Sequence, residues 1–125
     1  MELTLNEYQK KAMTTCMESS NNIPYMLLMI GEETGELQGK FSKAIRKGNL
    51  KFVNNIMTGL YDSEDDFNKW ADLVKKEVGD IMWGLAGICH VMRWNLGDIA
   101  QINLDKLAAR KEVGTIDGNG DGIIR

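Results

Sequence analysis

The chain has 125 residues, with 15 Lys and Arg against 18 Asp and Glu, a formal net charge of -3, one His, one Pro and two Cys. That length buries one core and is short for two ordinary domains, so we expect a single domain over residues 1–125, completed by self-association. Mild acidity without basic blocks gives no electrostatic footprint for a nucleic-acid polymer, and a phosphate compound as partner would require a metal ion to mediate. Cys16 and Cys89 form no C-x-x-C pair, which argues against a disulfide framework or a zinc knuckle and for a reducing compartment. The N-terminal MELTLNEYQKK lacks the apolar stretch of a signal peptide. The longest apolar run, Tyr25 to Ile30, is far too short to span a bilayer, so a soluble cytoplasmic protein without a membrane partner is expected.

Thr4 followed by Glu7 is a capping-box signature, and Leu5, Tyr8, Ala12 and Cys16 recur at helical spacing, predicting a first helix from Leu5 to Met17. ESSNNIP is a loop, and Pro24 suits the first turn of a second helix reaching Lys47, where Gly48 provides the stop. Residues 49–61 place Leu50, Val53, Ile56, Met57 and Leu60 at helical spacing and read as a short helix. Ser63 and Asp66 cap a long third helix to Trp94, with the stripe Phe67, Trp70, Val74, Ile81, Leu85, Ile88 and Met92. Asn95 and Asp98 restart a fourth helix carrying Ile99, Ile102 and Leu107, and residues 112–125 form a Gly-rich tail. With no alternating strand pattern, the expected fold class is all-α, a bundle of four main helices.

Two of these helices carry acid where they should be apolar. In GEETGEL the stripe Met26, Ile30, Leu37, Phe41, Ala44 is interrupted by Glu33, and Glu36 lies roughly 60° away on its flank, while Glu32 turns toward solvent. In KKEVGDI, Glu77 falls inside the stripe of the third helix, with Asp80 on its flank. Four carboxylates converging in a helix interface repel one another and lose hydration, a cost of several kcal/mol that a bound cation removes. Oxygen donors without His or Cys favour Mg²⁺ or Mn²⁺ over zinc. A di-iron bundle would use E-x-x-H, and His90 is not so placed.

Glu32-Glu33-Thr34-Gly35-Glu36 followed by Glu77-Val78-Gly79-Asp80 resembles the E-E-x-x-E … E-x-x-D signature of the MazG-like all-α nucleoside triphosphate pyrophosphohydrolases. NEYQ near the start, LGD before the fourth helix, N-x-x-K-L-x-x-R at Asn103, Lys106, Leu107 and Arg110, and the Gly-Asn-Gly-Asp tail ending in Arg125 extend the likeness over nearly the whole chain. They are similar to short single-domain members of bacterial or phage type. The resemblance implies Mg²⁺-dependent hydrolysis of an NTP or dNTP between the α and β phosphates, giving a monophosphate and pyrophosphate. It implies the ion on Glu33, Glu36, Glu77 and Asp80, and Glu32 or a neighbouring carboxylate as the proton acceptor. Lys40, one turn beyond Glu36, with Asn103, Lys106, Arg110 and Arg125, are the candidates for meeting the phosphates. One departure is a longer interval between Glu36 and Glu77, its excess in residues 48–66, which reads as an insertion serving as a lid or an oligomer contact.

A dUTP- or dCTP-selective pyrophosphatase is the enzymatic alternative. A metal-stabilised helical interaction module, with Met-rich faces for partner helices, is the non-enzymatic one. A homodimer or homotetramer is expected either way. Tyr8, Gln9, Asn22 and Trp83 are candidates for touching a nucleobase, and His90 reads as a core or interface residue. Gly79, Gly84 and Gly87 signal either close helix approach or room for substrate. Asp117 to Gly122 matches the first half of an EF-hand loop, but the chain lacks the Glu that closes such a loop, so no calcium site is expected there.

Overall fold

The computed structural model describes residues 2–58 and 61–114. Among the described residues, four α-helices, one turn of 3-10 helix (Glu18–Ser20) and one small hairpin make up the fold: α1 (Leu5–Met13), α2 (Ile23–Arg46), β1 (Lys51–Val53), β2 (Ile56–Thr58), α3 (Glu64–Met92) and α4 (Leu96–Glu112). The class is all-α, as the periodicity predicts. Among the described residues no helix is long and apolar enough to cross a membrane.

The helix starts follow local chemistry. Thr4 Oγ1 accepts from the Glu7 amide at 3.1 Å, Asn22 Oδ1 from Tyr25 at 2.8 Å, and Ser63 Oγ from Asp66 at 3.1 Å, each satisfying an amide that the first turn leaves without an intrahelical partner. α4 starts differently. Its first amides are taken from outside, Leu96 N–H by Gln9 Oε1 at 2.7 Å and Gly97 N–H by Asn6 Oδ1 at 2.8 Å. The NEYQ segment of α1 is thus the cap of α4.

α1 ends at Met13, one turn earlier than expected, so Cys16 lies outside the helix. The Thr14 and Thr15 hydroxyls bond back to the Lys11 and Ala12 carbonyls at 2.6 Å each, and Trp83 Nε1 donates to Thr15 Oγ1 at 2.9 Å and to Ala12 O at 3.3 Å. Local side-chain bonds there displace the helical ladder. In place of the short helix expected in residues 49–61, the chain from Lys51 to Thr58 is a β-hairpin, with Val53 paired to Ile56 across Asn54 and Asn55. Both asparagines have positive φ, 51° and 66°, the geometry of a type I′ turn. Asn tolerates that region, and the β-branched Val53, Ile56 and Thr58 favour the strands.

α2 and α3 form the principal contact of the fold and run antiparallel, with Met26 against Gly87, Ile30 against Gly84 and Phe41 against Trp70. Two apolar blocks result. One gathers Ala44, Leu50 and Trp70 with Phe41, Tyr61, Phe67 and Val74, the Phe41 and Trp70 rings meeting edge-on at 5.0 Å. The other buries Met13, Met26, Ala86 and Cys89. Glu33 and Glu36 on α2, and Glu77 and Asp80 on α3, occupy the waist between them.

The inner face of α3 is rotated from the expected stripe, for Leu85 and Met92 are exposed while Gly84 and Gly87 are buried against α2. A Cβ on Gly84 would stand 2.5 Å from Ile30 Cγ1 and 2.7 Å from Met29 Sδ, and one on Gly87 would collide with Met26 Sδ. Close approach therefore explains both glycines. Gly84→Val is expected to destabilise the fold by about 2 kcal/mol through overpacking. Gly39→Ala, where nothing lies within 4 Å of the new methyl, is expected to add about 0.5–1 kcal/mol by raising helix propensity. Urea denaturation of the two variants should show these opposite signs.

Candidate metal centre

Glu33 and Glu36 stand one turn apart on α2, and Glu77 and Asp80 one turn apart on α3. The antiparallel contact brings the two turns together. Glu33, Glu77 and Asp80 each offer a carboxylate oxygen, and these oxygens all lie within 4.8 Å of one another. Glu36 is exposed beside them, near enough for the Glu77 charge to act on it. Three of the four residues that the two motifs single out therefore meet, and the fourth stands at their edge.

The oxygens are placed for a charge that side chains alone do not supply. Glu77 is buried at 9% exposure and Glu33 half-buried. Glu33 Oε2 and Glu77 Oε2 are both shielded from solvent without a hydrogen-bond partner. Leaving such an acceptor unpaired costs about 1–3 kcal/mol, more when it is ionised. Lys40 Nζ stands 3.7 Å from Glu77 Oε1 and offsets part of the negative charge. Burial, then the charges of Glu36, Asp80, Glu77 and Glu32, push the Glu33 carboxyl above its ordinary range. Glu36 is pushed up chiefly by the neighbouring Glu77 carboxylate.

This donor set fits a hard divalent cation. It is all oxygen, clustered, and carries orphaned buried lone pairs that an ion would satisfy. A proton satisfies them less completely, and the pH dependence follows. Because Glu33 and Glu36 bind protons more tightly in the folded chain than in the unfolded one, their contribution favours folding at acid pH. It is lost as pH rises through the raised values. In a chelator the melting temperature should therefore fall as pH climbs from just above the ordinary glutamate range toward neutrality. Mg²⁺ should restore it at neutral pH and do little on the acid side. Melts of the wild type and Glu33→Gln at a series of pH values check this, since the variant should lose the part of the slope that Glu33 contributes and keep the part that Glu36 contributes.

The other anticipated residues are distributed as follows. Glu32 is exposed beside the pair, as its position on the helix suggests, yet close enough to raise both Glu33 and Glu36. Asn103 and Lys106 are exposed on α4, and Arg110 is half-buried there. Arg125, the Gly-rich tail beyond Gly114 and the EF-hand-like stretch lie outside the described residues. Of the nucleobase candidates, Gln9 joins α1 to α4, Asn22 caps α2 and Trp83 ties α3 to α1, so their polar atoms serve the fold. Tyr8 borders the centre. Burial first, and Asp80 second, push its phenol up. His90 is exposed at the end of α3 rather than in the core.

No protein-family model matches the chain, and no solved structure does. It is similar to the Gene 37 protein of Mycobacterium phage L5, 29% identical over 104 residues that cover 83% of this chain and 79% of that protein.

Proposed function

We propose that the chain is a Mg²⁺-dependent, MazG-like pyrophosphohydrolase that cleaves an NTP or dNTP between its α and β phosphates, releasing a nucleoside monophosphate and pyrophosphate. The observation that carries this reading is the waist of the helix pair, where E-E-x-x-E and E-x-x-D bring Glu33, Glu77 and Asp80 within 4.8 Å and leave buried oxygens unpaired. Glu33, Glu77 and Asp80, with Glu36 beside them, would hold Mg²⁺, with Mn²⁺ as a substitute. When bound, the ion neutralises phosphate oxygens against the acidic pocket and acidifies a water.

The chain's own groups do the rest. Water oxygen bonds to the α phosphorus, the bond from that phosphorus to the bridging oxygen breaks, and pyrophosphate leaves with the electron pair. Glu32, exposed beside Glu33, accepts the water's proton. Lys40 places an ammonium at the edge of the centre, where it meets the leaving group, and Lys106, Arg110 and Asn103 on α4 serve the phosphates and ribose. The test is pyrophosphate release from a panel of NTPs and dNTPs, with and without Mg²⁺. Metal-dependent release supports the reading, and a dominant response to dUTP or dCTP identifies a selective enzyme. Silence across the panel, with folded protein, overturns it.

Self-association and a cytoplasmic location belong to the same reading. α4 buries none of its residues, leaving Ile102 and Leu104 about three-fifths exposed, at 64% and 59%. Both cysteines are free thiols, in keeping with a reducing compartment. Sedimentation equilibrium should give twice or four times the chain mass. Ile102→Glu/Leu104→Glu should shift it toward the single chain.

A further inference from the structure

Beyond the carboxylates, the space between α2 and α3 opens into a cavity of about 480 Å³ that none of the motifs anticipates. Lys40, Lys43 and Lys47 line it from α2, and Lys69 faces them from α3. Positions 40 and 43 on α2 and the cap residue 47 recur at helical spacing, so they share one face over about 10 Å of helix, with Lys43, Lys47 and Lys69 exposed at the cavity. Tyr61 and the buried Trp70 form an aromatic wall, held by a tilted ring contact at 6.1 Å. Trp70 is fixed further by its indole N–H, which donates to Lys40 O at 3.1 Å.

The sign of this cavity is decided by its lysines. Asp62 and Asp66 also line it, so the four lysines leave an excess of two positive charges, or of one when Lys40 is counted with Glu77. The C-terminal end of α2 and the N-terminal end of α3 both lie at the cavity, and their partial charges of about −0.5 and +0.5 cancel. Like-charged ammoniums around one cavity repel, and a polyanion removes that repulsion, as a cation does for the carboxylates next door. Lys40 belongs to both places, since it lines the cavity and stands 3.7 Å from Glu77.

We propose that this lysine-lined cavity is the seat of the substrate's terminal phosphates. The site then takes a linear polyphosphate, with the scissile anhydride at the carboxylates and the phosphates beyond it on Lys43, Lys47 and Lys69. This rests on the pyrophosphohydrolase reading of the neighbouring centre, and it gives that reading a substrate class. A ligand must carry a chain of anionic phosphates past the bond that breaks. The base and sugar then lie on the other side of the carboxylates. Tyr61 holds the wall in shape and does not stack on a base. Asn49, Tyr61 and Asp62, from the stretch between α2 and α3, complete the lining of the cavity.

Calorimetric titration of the metal-free full chain with inorganic tripolyphosphate tests the assignment. Saturable binding is expected, weakening with added salt because the contacts are between charges. In Lys43→Gln/Lys47→Gln it should weaken about tenfold or more, and in Lys10→Gln/Lys11→Gln, which removes the same charge from α1, it should not change. No saturable binding, equal weakening in both variants, or displacement of tripolyphosphate by an uncharged nucleoside overturns the assignment. Pyrophosphate release measured in parallel separates this claim from the one beneath it. Tripolyphosphate bound through the lysines with no nucleotide cleaved would leave the cavity assignment standing and sink the reaction. Cleavage of nucleotides with unchanged KM in the lysine variant would do the reverse.

Discussion

Glu77→Gln is expected to lower turnover by about 10²–10³-fold or more while leaving the protein folded. Glu77 is the most deeply placed of the four acids, its Oε2 has no partner, and its other oxygen meets Lys40. A neutral amide of the same shape removes one ligand charge. It also removes the repulsion that Glu77 exerts on Glu33 and Glu36. The metal-free variant should therefore melt at the wild-type temperature or somewhat above it, and Mg²⁺ should no longer raise that temperature. Steady-state kinetics alongside thermal melts in chelator and in Mg²⁺ check both halves. A structural metal site gives a different pattern, with stability lost together with the metal and no turnover to lose. Wild-type turnover and wild-type metal stabilisation in the variant would refute both metal hypotheses.

The second large effect concerns the block that supports the centre from one side. Trp70→Ala is expected to cost about 3–5 kcal/mol, lowering the melting temperature by roughly 10 °C or more. Its ring touches Phe41, Tyr61 and Phe67, and its indole N–H reaches across to the Lys40 carbonyl. Trp70→Phe keeps most of the packing and loses that cross-helix bond, so it should cost much less. Chemical denaturation of the two variants checks the ratio, and equal losses would mean that the bond, not the packing, dominates. Both changes also loosen Lys40, whose backbone the indole holds.

Much of this was legible because it is local. Thr4, Asn22 and Ser63 announce helix starts by the chemistry of their own side chains, and the structure uses all three. The carboxylate centre was legible for the opposite reason, since Glu33 and Glu77 break apolar stripes and such a break needs an explanation. Other features depend on pairs distant in sequence. The rotation of α3 comes from Gly84 and Gly87 meeting Ile30 and Met26, which no periodicity within α3 reveals. The hairpin was masked because Leu50, Val53, Ile56 and Met57 fit helical spacing as well as strands, and the positive φ of Asn54 and Asn55 decides the matter. Lys43, Lys47 and Lys69 look like ordinary solvated lysines until α2 and α3 close around one cavity. Gln9 and Asn6 were visible as a motif, but their task of capping α4 emerges only from the packing of α1 against it.

The two charged places have one logic. Like charges are gathered at the waist and again along the lysine row, and in the proposed reading each cluster would be relieved by a ligand of opposite sign. A metal-bound polyphosphate supplies both relieving charges at once. The carboxylate centre is the foundation, because the proposed reaction presupposes a cation there.

Titration of the metal-free protein with Mn²⁺ at neutral pH, read by electron paramagnetic resonance, tests that foundation most directly. The account predicts saturable binding that Mg²⁺ displaces, that Glu33→Gln/Glu77→Gln abolishes, and that weakens as acid protonates the cluster. Binding of Mn²⁺ unchanged by loss of both glutamates, or no binding by the folded wild type, would contradict it.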